Sequence, residues 1–331
     1  KNQSQDAPSV NSSESSQSPS VTEAFIKKSF LSHTMQITFL GTTCMVPTKE
    51  RNHTALLMRY SSDGLLFDCG EGTQRQIKMA GQKLTEVTHI FLSHWHGDHV
   101  LGLPGLIQSL GASEYAKKLI IFGPEKTKEH MRHMYKAFVF DRRIEIEVNE
   151  IEGTGIILET PQYQVEAYPL EHGVPTYGFR FIEKDTRRIN VSYVNERKIP
   201  HGPLLGRLQR GEDIEFEGGT IKAEDATYLV PGKKVGIIQD TVLCQGCLDI
   251  AKDVDLLISE ASYDESLKEK AEEYKHMTAQ QAAQVASQSG ARRLVMSHIS
   301  ARYKTPEPLE KEARTVFKES SCAYDLMKIK L

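Results

Sequence analysis

The sequence predicts an α/β fold whose strands deliver their chemistry at their C-terminal ends. Three observations carry this. First, Ser93-His94-Trp95-His96-Gly97-Asp98-His99 sets three imidazoles and a carboxylate within six residues, directly after the apolar run Val87-Thr88-His89-Ile90-Phe91-Leu92. Second, further apolar runs end in the same kind of residue: 163–170 at Glu171-His172, 234–239 at Asp240, 254–259 at Glu260 and 293–297 at His298. Third, helical patterns lie between the strands. Ligands and catalytic groups collect at strand ends in α/β folds, and imidazole with carboxylate suits zinc and similar divalent ions.

Composition sets the frame. A chain of 331 residues, 39% hydrophobic and 26% charged, has a real core. A net charge of −3 excludes a global basic field, so nucleic-acid contact needs local patches. No apolar run approaches the roughly 18 residues of a membrane span. Cys44, Cys69, Cys244, Cys247 and Cys322 are odd in number and unevenly spaced. That argues against a disulfide framework and for a reducing, cytoplasmic setting.

Taken in order, residues 1–34 are rich in Ser, Gln and Asn and bury too little to offset their ordering entropy, so a disordered tail is expected there. Residues 35–331 follow as the folded domain. Met35 to Leu40 alternates as a strand and stops at Gly41; a polar loop, Pro47 to Asn52, leads to strands Ala55–Tyr60 and Leu65–Phe67. Asp68, at that strand's end, suits an acceptor for a ligand histidine. In the metal motif, an extended backbone turns His94 and His96 to one side. The chain bends at Gly97, which lets Asp98 and His99 face a second point. Leu101 to Leu110 reads as a helix, Leu119–Phe122 as a strand, and 126–138 as a helix on which His130 and His133 are ordinary surface residues.

Strands are expected at 143–151, 155–159 and 163–170. Residues 199–211 are dense in Gly and Pro, and from Arg197 to Arg210 there are four Lys/Arg and no Asp/Glu. This reads as a long basic loop suited to phosphate contact, inside an inserted region spanning about 185–230. Thr278 to Ser289 reads as a helix with Thr278 as N-cap and Gln281 completing a capping box. Its buried stripe is Ala279, Ala282, Ala283 and Ala286, and Gly290 is the stop. His276 precedes that N-cap, near a helix end that favours phosphate.

Together these residues resemble the short form of ribonuclease Z, or tRNase Z, over about Met35 to Tyr303. The resemblance rests on H-x-H-x-D-H, on Phe67-Asp68-Cys69-Gly70-Glu71-Gly72-Thr73-Gln74, and on Pro47-x-Lys49-x-Arg51-Asn52, which is similar to the loop that senses a mature CCA end. It rests also on Gly202-Pro203 to Gly211, similar to an exosite arm, and on Ser259-Glu260-Ala261, His276-Met277-Thr278 and Ser297-His298-Ile299-Ser300-Ala301-Arg302-Tyr303. Departures are Ser259 for the His of the family's H-E-A-T, Met277 within its H-S-T, and Gln239 before Asp240 where Gly is usual. Cys244 and Cys247 form a C-x-x-C that reads as packing.

The resemblance implies a metallo-β-lactamase-like αββα four-layer sandwich with an inserted flexible exosite arm. It implies two Zn2+ per subunit, one held by His94, His96 and His172, the other by Asp98, His99 and His298, with Asp240 between them. It implies zinc-dependent removal of the 3′ trailer from precursor tRNA by an activated hydroxide, leaving a 3′-hydroxyl. Asp98 also accepts the water's proton in that scheme, His276 is the general acid and Glu260 orients it. Substrate contacts are expected from Lys49, Arg51, Gly202, Pro203, Arg207, Arg210 and Arg302, and a homodimer is implied. The rival readings are another hydrolase of this fold, acting on a thioester, lactam or small phosphodiester, and a non-catalytic RNA-binding protein on the same scaffold.

Overall fold

The computed structural model describes residues 35–139 and 143–331. The expected tail, 1–34, lies outside the described residues. Two seven-stranded sheets dominate. In chain order the strands are β1 (Gln36–Gly41), β2 (Ala55–Tyr60), β3 (Asp63–Phe67), β4 (Val87–Phe91), β5 (Leu119–Gly123), β6 (Ile146–Glu150), β7 (Gly155–Glu159), β8 (Tyr163–Leu170), β9 (Thr176–Glu183), β10 (Lys234–Ile238), β11 (Leu256–Glu260), β12 (Leu294–Ser297), β13 (Ser320–Cys322) and β14 (Lys328–Lys330). The first sheet runs β14-β1-β2-β3-β4-β5-β6 and the second β13-β12-β11-β10-β9-β8-β7.

Strand alternation builds the layers. On β2, Leu56, Met58 and Tyr60 join the core between the sheets, while Ala55 and Leu57 join the core under the helices Thr73–Met79 and Leu103–Ala112. On β11, Leu256 and Ile258 face the other sheet, and Leu257 packs with Ala282, Ala283 and Ala286 of the helix Ala279–Gln288. A strand buried on both faces reads as a continuous apolar run, which is how these strands stood out in the sequence. The result is helix, sheet, sheet, helix: the αββα sandwich. The central core is aromatic, with Phe67 stacked on Phe91 at 5.0 Å and Phe91 on Phe122 at 5.2 Å. Such pairs add about 0.5–1.5 kcal/mol each beyond their burial.

The helix Ala279–Gln288 starts as expected. Thr278 Oγ1 accepts from Gln281 N and Gln281 Oε1 accepts from Thr278 N, completing the capping box. Among the described residues no helix is long and apolar enough to cross a membrane.

Residues 199–211 correct the sequence reading. They are not a long loop. Pro203–Gln209 is a helix, with Pro203 in its first turn, where its missing N–H costs nothing. Leu208, Val194, Ile199, Ile214, Ala223 and Ala226 form a small core of their own, with Leu204 and Leu205 packed on it. A strand pair, Thr186–Ile189 with Thr227–Val230, carries this lobe. The dense Gly and Pro outweighed the helical spacing of Leu204, Leu205 and Leu208 in the sequence.

Candidate metal centre

The motif leaves β4 with extended backbone through His96 and enters a helical turn at Gly97–Val100. His94 and His96 therefore reach one point, and Asp98 and His99 another. Two further loops complete each point: His172 follows β8, Asp240 follows β10, and His298 follows β12. Ligand-type atoms of His94, His96, His172 and Asp240 lie within 4.8 Å of one another, and so do those of Asp98, His99 and His298.

The spacings fit tetrahedral metal. Bonds of about 2.0–2.1 Å put tetrahedral donors about 3.3 Å apart. In the first set, His94 Nε2 lies 3.0 Å from His96 Nδ1, and His172 Nε2 3.2 Å from that same nitrogen. Asp240 Oδ2 lies 3.7 Å from His94 Nε2 and 3.9 Å from His172 Nε2. In the second set, Asp98 Oδ2 is 3.5 Å from both His99 Nε2 and His298 Nε2. Asp240 Oδ1 is 3.3 Å and 3.2 Å from the same two nitrogens. The two oxygens of Asp240 thus address the two sets.

The surrounding hydrogen bonds select the ring tautomers. His99 Nδ1–H donates to Asp68 Oδ2 at 2.7 Å, His172 Nδ1–H to the Lys275 carbonyl at 2.9 Å, and His298 Nδ1–H to Ser262 Oγ at 3.0 Å. His94 Nδ1–H donates to Ser93 Oγ at 2.9 Å, whose hydroxyl passes on to Asp68 Oδ2 at 2.9 Å. Each arrangement leaves Nε2 as a lone pair facing inward, the form a metal requires. Asp68 and His298 both hold left-handed backbone, with φ of 57° and 56°. For His298 this is strained, and such strain concentrates at functional sites.

The electrostatics agree. Burial and the neighbouring His99 hold His94 well below the ordinary imidazole pKa, so it stays neutral. Without a cation, Asp240 and Asp68 raise His99 well above the ordinary imidazole value against burial. This ring with His298 holds Asp98 and Asp240 well below the usual carboxylate range. A bound cation would displace the proton from His99 Nε2. His99 Nε2, His298 Nε2 and Asp240 Oδ1 are buried without a hydrogen-bond partner. Such atoms cost about 1–3 kcal/mol each unless something satisfies them. A divalent cation satisfies all three at once.

His276 sits beside the second set. Its Nδ1 lies 3.0 Å from Glu260 Oε1 and 4.0 Å from Asp240 Oδ2. Burial lowers its pKa, but Glu260 and Asp240 outweigh this and raise it to about 9.

The structure brings His94, His96, Asp98, His99, His172, Asp240, His298, His276 and Glu260 together. It treats the substrate candidates differently. Lys49 and Arg302 are exposed, the latter 5.2 Å above the Tyr263 ring. Arg51 is buried and donates from Nη2 to the Tyr303 carbonyl, bracing its loop from inside. Gly202, Pro203, Arg207 and Arg210 belong to the folded lobe. Arg207 and Arg210 both pair with Glu212, at 3.1 and 2.7 Å, just past the run read as purely basic. Ser93 and Ser262 were missed. Each is a small hydroxyl beside a ligand, and only its position next to the motif or two residues past Glu260 could have flagged it.

A family model described as anti-Pycsar protein Apyc1 matches residues 35–143, less than half of the chain. A ribonuclease Z of Nocardia farcinica is 38% identical over 299 residues, covering 89% of this chain and 97% of the relative. A ribonuclease Z of Methanothermobacter thermautotrophicus is 38% identical over 298 residues, covering 90% and 97%. Among solved structures, human tRNase Z, short form, superposes with a TM-score of 0.66 at 27% identity, covering 89% of this chain and 98% of that one. The metallo-β-lactamase fold protein YhfI of Bacillus subtilis also gives 0.66, at 17% identity, covering 90% and 100%, a likeness of fold alone.

Proposed function

The chain belongs to the ribonuclease Z family, and from that premise we propose that it is a metal-dependent endoribonuclease that removes the 3′ trailer from precursor tRNA and leaves a 3′-hydroxyl on the tRNA. The observation that supports this most is the pair of converging donor sets sharing Asp240, with His276 and Glu260 beside them. A scaffold without catalysis has no need to keep every one of these positions filled.

His94, His96, His172 and Asp240 would hold one divalent ion, zinc by the chemistry of the donors, and Asp98, His99, His298 and Asp240 the other. Such a pair supplies a nucleophile at neutral pH and offsets charge on the phosphoryl oxygens. The chain's own residues do the rest. Asp98 Oδ2 is held by the Met45 N–H at 2.9 Å, while its buried Oδ1 has no hydrogen-bond partner and can take the proton of the attacking water. Glu260 Oε1 takes the Nδ1 proton of His276 and leaves Nε2–H to protonate the departing 3′ oxygen. With a cation held at Asp240 that carboxylate would pull less on His276, and Glu260, 3.0 Å from His276 Nδ1, would be the group that keeps the proton there. The lobe at 185–230 offers Arg207 and Arg210 to the tRNA backbone, and a second copy of the chain completes the assembly.

The test is cleavage of a 3′-extended precursor tRNA by the purified, zinc-loaded protein beside Asp98→Ala, with the cut mapped. A single metal-dependent cut at the trailer junction, lost in the variant, is the expected result. Hydrolysis of small esters without that cut would overturn the reading.

A further inference from the structure

The turn after Asp240 carries a feature that the chemistry above does not use. Cys244 and Cys247 stand with their sulfurs 3.7 Å apart, and both are free thiols. The Cys247 N–H donates to the Cys244 carbonyl at 3.1 Å, a tight turn that sets the two side chains on the same side. Gly246 lets this turn press against β8: a Cβ there would meet the Pro169 carbonyl oxygen at 2.3 Å. A disulfide bond is about 2.05 Å long. Closing the gap takes a shift of roughly 1.6 Å shared by two side chains.

The two thiols are unequal. Cys244 is half-buried, next to exposed Leu243 and Gln245, whereas Cys247 is buried among Leu170, Ile250 and Ala251. No third ligand accompanies them: among the described residues, neither thiol joins a converging group of metal-ligand atoms. The pair is therefore poorly suited to metal, and its geometry is that of an attacking thiol and a resolving one.

We propose that Cys244 and Cys247 form a redox-active dithiol that reacts with low-molecular-weight disulfides of the glutathione type. The Cys244 thiolate attacks one sulfur of the disulfide, whose S–S bond breaks and releases one thiolate that takes a proton from solvent. The Cys247 thiol then loses its proton and attacks the Cys244 sulfur. The mixed disulfide breaks, the second small thiol leaves, and the Cys244–Cys247 bond remains. Two protein thiols are oxidised and one disulfide is reduced to two thiols. The thiol environments agree with this order of attack. The Cys247 thiol draws the Cys244 pKa down to about 5 against the effect of burial, while burial pushes Cys69 and Cys322 up to about 12 and Cys44 up further. The thiolate is the reactive form.

The experiment treats the full chain with oxidised glutathione near neutral pH, quenches, unfolds, alkylates the remaining thiols and maps the peptides by mass. Expected is a Cys244–Cys247 disulfide, lighter by two hydrogens and resistant to alkylation, with Cys44, Cys69 and Cys322 fully alkylated. In Cys247→Ser, glutathione should accumulate on Cys244. Three results would overturn the proposal: no reaction at this pair in the wild type, a stable glutathione adduct on wild-type Cys244 without ring closure, or faster oxidation of another cysteine. The wild-type reading does not depend on how well the variant folds.

Discussion

Glu260 Oε1 lies 3.0 Å from His276 Nδ1 and also receives the Thr241 backbone N–H at 2.8 Å. One carboxylate oxygen thus ties the proposed acid to the loop that carries Asp240. Its other oxygen accepts from Ser262 Oγ at 2.8 Å, and Ser262 in turn takes the Nδ1 proton of His298. Acid and metal donors share one hydrogen-bonded frame.

From this, His276→Ala should lower kcat on precursor tRNA by about 10²–10⁴-fold, the usual worth of general acid catalysis. Bound metal, counted by elemental analysis, should be unchanged. Loss of metal in this variant would assign His276 to the donor set instead.

The pH dependence has a definite sign. His276 is raised to about 9, so it carries its proton at neutral pH and releases it as pH rises through that value. Cation held at Asp240 would weaken that carboxylate's pull, so the alkaline fall in kcat should lie below pH 9, and His276→Ala should lack that limb. Its contribution to stability is full below about 6.5, the unfolded value, and is lost as pH rises through about 9. In the metal-free proteins the denaturation midpoints of wild type and variant should therefore converge above pH 9.

Asp68 is not itself placed as a metal ligand, yet it holds His99 directly and, through Ser93, His94. Asp68→Ala should weaken metal affinity by about 10–100-fold, as removal of such supporting carboxylates does. Competition against a chelator measures this. An unchanged affinity would show that packing alone fixes the two rings.

The surface pairs of Arg207 and Arg210 with Glu212 are exposed and worth little to stability. The double variant Arg207→Ala, Arg210→Ala should keep its denaturation midpoint and its rate on a small phosphodiester. It should raise KM for precursor tRNA and flatten the salt dependence of binding. Equal loss on both substrates would remove the lobe from tRNA binding.

Thr278 closes the capping box and also donates to Glu265 Oε2 at 2.7 Å. Thr278→Ala should cost about 0.5–2 kcal/mol in chemical denaturation.

How much of this was legible in the sequence follows from what each element had to bury. β4, β10, β11 and β12 lie inside the sandwich and read as apolar runs, and the residues ending them stood out as a set. The capping box of Thr278 was readable because it is a local rule. β9 was not foreseen: its half-buried polar positions, Arg180 among them, break the apolar run, and its partners lie on β8 and β10. The inward turn of Arg51 was hidden for a related reason, since the Tyr303 carbonyl that holds it is distant in sequence. The supporting hydroxyls of Ser93 and Ser262 acquire meaning only in three dimensions.

The pairing of β14 with β1 reaches beyond catalysis. Ile329 sits opposite Ile37, so the last strand of the described fold closes the edge of the sheet that its first strand opens. The helix Glu307–Val316 and β13 likewise finish the second sheet. Residues 320–330 must therefore be synthesised before either sheet is sealed. Until then β1 presents unpaired backbone to its surroundings, an invitation to wrong partners. Chains interrupted before residue 328 would lack this clasp and remain open to proteolysis.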